Sequence, residues 1–223
     1  MAQKPSVQAM LIALLLIAVD SRAAKGSKSA RQDLDVVKFL TTNGSIYSIP
    51  ITSEFYDLCK VDSEIKINDA SISFQRYIVN RFTPTGVRKI QHTNGRTVEV
   101  NGNFFSTGVG QQLDSMLLTY KREASQHTET LIYESTLYPC GVFSILQRSK
   151  TRANMRPLRG VYELRMKIPG ADSTTPQNCF DEFKNYLGQQ GTNAAPTLTM
   201  HNKCGEKWQE LLSEFDVKHR EDN

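Results

Sequence analysis

The chain lacks most of the patterns that carry chemistry. None of its four cysteines forms a CxxC pair, and His92, His127, His201 and His219 are nowhere near ligand spacing for zinc, so no metal site is expected. There is no GxSxG, no HExxH and no phosphate-binding loop. Gly108-Val109-Gly110 begins a dinucleotide fingerprint but has no third glycine and stands between strand-like segments, which makes it a hairpin connection. A catalytic reading needs a nucleophile with a base and an orienting group, or paired carboxylates, or a metal, and without a motif that supplies one the expectation is a protein that is not an enzyme and holds no cofactor. Tryptophan is nearly absent, Trp208 being the single one, and a large excess of either charge is absent too: 27 basic residues face 23 acidic ones. The aromatics are spread along the chain without a nucleic-acid motif, so nucleic acid is not an expected partner.

What the sequence does have begins at its start. Lys4 is followed by an unbroken apolar run from Met10 to Val19 and then by Ser21, Arg22 and Ala23. The run is far short of the roughly 20 residues that a spanning helix needs, and the small residues suit signal-peptidase cleavage. Residues 1–23 therefore read as a signal peptide, with the mature chain starting at Ala24, secreted and extracellular. No second long apolar stretch follows, so no membrane association is expected. Removing Lys4, Arg22 and Asp20, two bases and one acid, lowers the net charge from +4 to +3, which favours no particular partner. About 200 residues remain, enough for one sizeable core or two small ones. Cys59, Cys140, Cys179 and Cys204 all lie in this part; in an oxidising compartment they imply two disulfides, with three pairings that spacing does not separate.

Residues 24–32 are rich in Lys, Ser and Ala and read as a mobile leader. Leu34, Val37 and Leu40 recur at near-helical spacing and predict a short helix before Asn43-Gly44, a turn that is also a glycosylation sequon, Asn43-Gly44-Ser45. From about Ile46 to Met166 the signal is short strands, among them Ile72–Phe74, Thr97–Val100, Met116–Tyr120, Leu131–Tyr133, Val142–Ile145 and Val161–Leu164. Pro84-Thr85-Gly86, Asn94-Gly95, Asn101-Gly102 and Gly108-Val109-Gly110 read as the turns between them. Such spacing predicts an antiparallel barrel or sandwich. Beyond Met166 the period becomes helical. Thr175 is a suitable N-cap with Pro176 at the first position, Phe180, Phe183 and Leu187 mark one face, and Gly188 ends the helix. Trp208, Leu211, Leu212 and Phe215 then mark a second amphipathic helix. It can pack on its own domain or serve as a partner-binding face.

Two features invite a functional reading. Arg148, Lys150, Arg152, Arg156 and Arg159 form a basic segment between two strands; Ala153, Asn154 and Pro157 interrupt it, so a solvated loop is the simpler reading than an anion site. Glu163 lies mid-strand, sharing a face with Val161 and Arg165 while Tyr162, Leu164 and Met166 take the other. If its face lines an interior, the carboxylate needs a cation or Arg165 as partner. If it faces water, it carries no information.

Tyr162-Glu163-Leu164, followed by Pro176-Gln177-Asn178-Cys179-Phe180, Phe183 and Tyr186, resembles the C-terminal part of the tick salivary lipocalins, the histamine-binding family. Asp35-Val36-Val37-Lys38 resembles that family's Asp-x-Trp-Lys helix, Tyr138-Pro139-Cys140-Gly141-Val142 its cysteine-bearing strand, and Cys59 and Cys204 fall in its order of cysteines. The resemblance covers residues 33–204, leaving 205–223 as a C-terminal amphipathic helix or tail. It implies an eight-stranded antiparallel up-and-down lipocalin barrel with a short N-terminal helix and C-terminal helices. It also implies the pairings Cys59–Cys204 and Cys140–Cys179. Members sequester host mediators in aid of evading host defence. A biogenic amine, histamine or serotonin, is the first expectation, because a desolvated ammonium needs a carboxylate and aromatic faces; Glu163 would be the counter-ion, with Tyr120 and Leu118 lining the pocket. The alternatives are a lipid mediator such as a leukotriene, fatty acid or cholesterol, anchored on Arg165 or Arg76, and a scaffold that binds a host protein through its loops or the Trp208 helix.

Overall fold

The computed structural model describes residues 33–51, 57–80, 95–108, 112–121, 125–149, 161–168, 170–189, 196–198 and 202–221. The expected signal peptide, the leader, Pro84-Thr85-Gly86 and most of the basic segment lie outside them.

Helix α1 (Val36–Leu40) leads into eight strands: β1 (Ile46–Pro50), β2 (Asp57–Ile67), β3 (Ser71–Asn80), β4 (Arg96–Phe105), β5 (Ser115–Tyr120), β6 (Ser125–Glu134), β7 (Cys140–Ser149) and β8 (Val161–Lys167). Helices α2 (Thr175–Gln189) and α3 (Asn202–Glu221) follow. Each strand pairs antiparallel with the next and β8 returns to β1, closing an up-and-down barrel. Closure leaves no unpaired sheet edge. The fold is lipocalin-like, and the segments read as strands from their alternation are all strands, longer than the alternation alone indicated.

One predicted turn is not a turn. Asn101-Gly102 lies inside β4, where Gly102 pairs with Ile72 on one side and Leu118 on the other. A Cβ on Gly102 would come within 2.4 Å of the Leu118 side chain. The glycine is there for close cross-strand approach, not for backbone reversal.

Because strand side chains alternate between faces, the closed sheet has two cores. The inner one joins Ile46, Ile72, Phe74, Val100, Met116, Leu118, Leu131 and Phe143 to Val36, Phe39 and Leu40 of α1. Helix α1, capped by Asp35 through its side chain and the Lys38 amide, thus plugs one end of the barrel, with the Phe39 and Phe143 rings edge-on at 5.3 Å. The outer core joins Tyr47, Ile49, Val61, Val142, Leu164 and Met166 to Cys179, Phe180 and Phe183 of α2 and Cys204, Trp208 and Leu211 of α3. The amphipathic stripe around Trp208 therefore packs on its own barrel, Trp208 lying 4.9 Å from the Tyr47 ring.

Two disulfides fasten this cover: Cys59 to Cys204, tying β2 to α3, and Cys140 to Cys179, tying β7 to α2. At Pro139-Cys140-Gly141 the chain does two jobs in successive residues. Cys140 turns outward to the helix, while Gly141 turns inward, where a Cβ would stand 2.8 Å from the Phe39 ring. Entry to α2 is set by a reciprocal pair of hydrogen bonds. The Thr175 amide donates to the Asp172 carboxylate, and the Asp172 amide donates to the Thr175 hydroxyl. The capping carboxylate comes from Asp172, three residues before the expected Thr175, and the helix runs one residue past Gly188.

Candidate functional site

The inner face carries charge where a barrel of this size would ordinarily carry hydrocarbon. Lys60 and Asp62 on β2, Arg76 on β3, Glu129 on β6, and Glu163 and Arg165 on β8 are all buried. They form one continuous network. Arg76 sits at one hub: Nε and Nη2 grip Asp62 at 2.6 and 2.8 Å, Nη1 donates to the Tyr120 hydroxyl and to Glu129, and Nη2 reaches Glu129 as well. Arg165 is the other: its Nη2 donates to Glu129 at 2.5 Å and to Glu163 at 2.9 Å. Lys60 donates to the remaining oxygen of Glu163. Aromatic faces complete the enclosure, with the Arg165 guanidinium 4.1 Å from the Phe143 centroid and that of Arg76 5.0 Å from Phe74.

Burial opposes ionisation of every member, and pairing reverses it. Desolvation would depress Arg76, but Asp62 and Glu129 hold its pKa well above the ordinary value. Arg165 is likewise raised, against desolvation, by Glu129 and Glu163. Desolvation would lift Glu129 and Glu163, yet Arg165 and Arg76 hold the first well below the usual carboxylate range, and Lys60 and Arg165 lower the second. Among the described residues three basic side chains thus face three acidic ones, equal numbers of each sign. Burial pushes the Tyr120 hydroxyl up to about 12. It pushes His127, 4.6 Å from the Tyr120 ring, down to about 4, so that imidazole is neutral.

Hydrogen bonding is unevenly distributed. All six carboxylate oxygens of Asp62, Glu129 and Glu163 accept from a cation. Arg76 places all three of its nitrogens, whereas Nε and Nη1 of Arg165 are buried with no partner among the described residues, as is the Ser48 hydroxyl. Unmet buried donors cost about 1–3 kcal/mol each, more when charged.

The structure brings together the residues singled out from the sequence. Glu163, Tyr120 and Leu118 all face the interior, as do Arg76 and Arg165, and Glu163 is held by Lys60 and Arg165. Asn43 is exposed between α1 and β1, as a glycan acceptor requires. His127 is inside the barrel, and no cluster of potential metal ligands occurs among the described residues. Sequence reasoning passed over Lys60, Asp62 and Glu129. A signal was present: Cys59-Lys60-Val61-Asp62 alternates apolar with charged, and Phe74-x-Arg76-x-Ile78 puts arginine on an apolar face. Neither pattern says which face is inside.

No model of a known protein family and no curated protein matches this chain. Among the described residues no helix is long and apolar enough to cross a membrane.

Proposed function

We propose that this protein is a secreted lipocalin, of the tick salivary kind, that sequesters a small host mediator inside its barrel and acts by binding rather than by catalysis. The closed fold, the two disulfides and the inward polar belt support that reading. Among ligand classes, an apolar mediator fits the interior better than a biogenic amine. The observation that carries this choice is the occupancy of the carboxylates. Among the described residues an ammonium entering the barrel would meet no acid without a cation of its own, because Glu163 is held by Lys60 and Arg165 and Glu129 by Arg76 and Arg165. Capturing the amine would add a further cation beside these or displace one of them, and removing one partner from a buried pair costs about 3–5 kcal/mol.

Native mass spectrometry of protein secreted from eukaryotic cells, with calorimetry against histamine and serotonin, tests this. The expected result is a retained apolar small molecule and no amine binding in the micromolar range. Tight histamine binding that Glu163→Gln abolishes would replace the lipid reading with the amine one.

A further inference from the structure

The two buried arginines have the same neighbours in kind but not the same satisfaction. Every nitrogen of Arg76 donates to Asp62, Glu129 or Tyr120. Arg165 is 0% exposed and bonds through Nη2 alone, leaving Nε and Nη1 without a partner. Ser48, 1% exposed, has an equally unpartnered hydroxyl, and on β1 it stands directly opposite Arg165 of β8. Two independent unmet groups, on adjacent strands and on the inner face, thus share one locality. We infer that Arg165 and Ser48 form a subsite for an uncharged oxygen acceptor, a carbonyl, ester or hydroxyl group on the bound molecule.

The charge count selects an uncharged group. Lys60, Arg76 and Arg165 are already balanced by Asp62, Glu129 and Glu163. An ion brought against this evenly matched set would be desolvated with no uncompensated counter-ion among the described residues, whereas a neutral oxygen accepts the unpartnered Arg165 N–H groups and adds no charge. The ammonium is disfavoured twice, having no uncompensated carboxylate among the described residues and standing against a guanidinium. Phe143 covers Arg165, its ring centroid 4.1 Å from the guanidinium carbon, and supplies an apolar wall beside the unpartnered N–H groups. This inference rests on the carrier reading and specifies the ligand's polar group.

The test uses the full secreted chain and a neutral environment-sensitive fluorophore, N-phenyl-1-naphthylamine, displaced by ligands of equal length: 2-decanone, 1-decanol, decanoate and decylammonium. The ketone and alcohol are expected to outcompete both ions by at least about ten-fold. Arg165→Lys, which keeps the charge but replaces the guanidinium by a single ammonium, should cut ketone affinity by about ten-fold, and Ser48→Ala should cut it by about three-fold. If Arg165→Lys does not fold by circular dichroism, Ser48→Ala decides alone. Equal displacement by all four ligands would mean that the free donors are served by water only, and the subsite falls while the carrier reading stands. Decanoate or decylammonium binding most tightly would also overturn it. Failure of the fluorophore and of every ligand to bind would remove the carrier reading itself.

Discussion

Along β8 successive residues face opposite environments: Glu163 and Arg165 enter the charged belt, while Leu164 and Met166 pack outward under α2 and α3. An isolated soluble barrel would reverse this, with hydrocarbon inside and charge in water. The two sides are held by different physics. The outer wall is ordinary apolar burial covered by helices, and its integrity depends on keeping those helices in place. The inner belt contributes little net stability as a set of pairs, because desolvation offsets attraction, but it tolerates no missing member. The difference teaches that the outer wall should fail gradually and the inner belt abruptly.

The largest expected effect loosens the outer wall. Replacing Cys59 and Cys204 by alanine opens a link spanning 145 residues, and replacing Cys140 and Cys179 opens one spanning 39. In the chain-entropy account these changes cost about 5 and about 4 kcal/mol. Urea unfolding followed by Trp208 fluorescence reads both, and the first should also shift native emission, since Trp208 lies one helical turn from Cys204. If the shorter link proved the more costly, the comparison would have to be redrawn around strain in α2.

Breaking the inner belt at its better-satisfied hub comes next. Arg76→Met strands Asp62 and reduces Glu129 to a single partner, for an expected loss of about 3–5 kcal/mol. Converting Asp62 to Asn in the same chain should recover much of it, because unpaired buried charge is the cause and Glu129 keeps Arg165. A loss that persists in the double variant would show that Arg76 matters for packing instead.

The smallest effect sharpens the comparison through pH. His127 is held neutral by burial, its pKa lowered from 6.5 to about 4. Between those values the unfolded chain binds a proton that the native protein refuses, so stability falls as pH falls across the window, by roughly 3 kcal/mol in all. Glu129 and Glu163, also lowered, add a loss at more acid pH, as unfolded carboxylates protonate first near 4.5. Thermal unfolding of His127→Gln should lose the slope between pH 6.5 and 4 and keep the steeper acid limb. An unchanged slope in that variant would place the titration elsewhere.

Alternation made the strands legible, and helical spacing made α2 and α3 legible, because backbone geometry imposes those periods on any residue that must be buried. The pairing at Ile132 was not legible: β6 slips register between Leu131 and Tyr133, so Tyr133 turns out to meet Phe183 and Tyr186 where strict alternation would keep it inside. Gly102 was misread for a related reason, since a glycine in a strand and a glycine in a turn look alike until the neighbouring strands are known.

By itself the order of residues determined which side chains share a face, that four cysteines were available to be paired, and that Glu163 and Arg165 stand together. Only the closed barrel decided that their face is the inner one, that Lys60 and Asp62 from β2 and Glu129 from β6 meet them there, and that Arg165 keeps unspent donors while Arg76 keeps none. Periodicity is a local property of the backbone, but the matched charges of the belt and its unmet hydrogen bonds come from contacts between strands far apart in the chain.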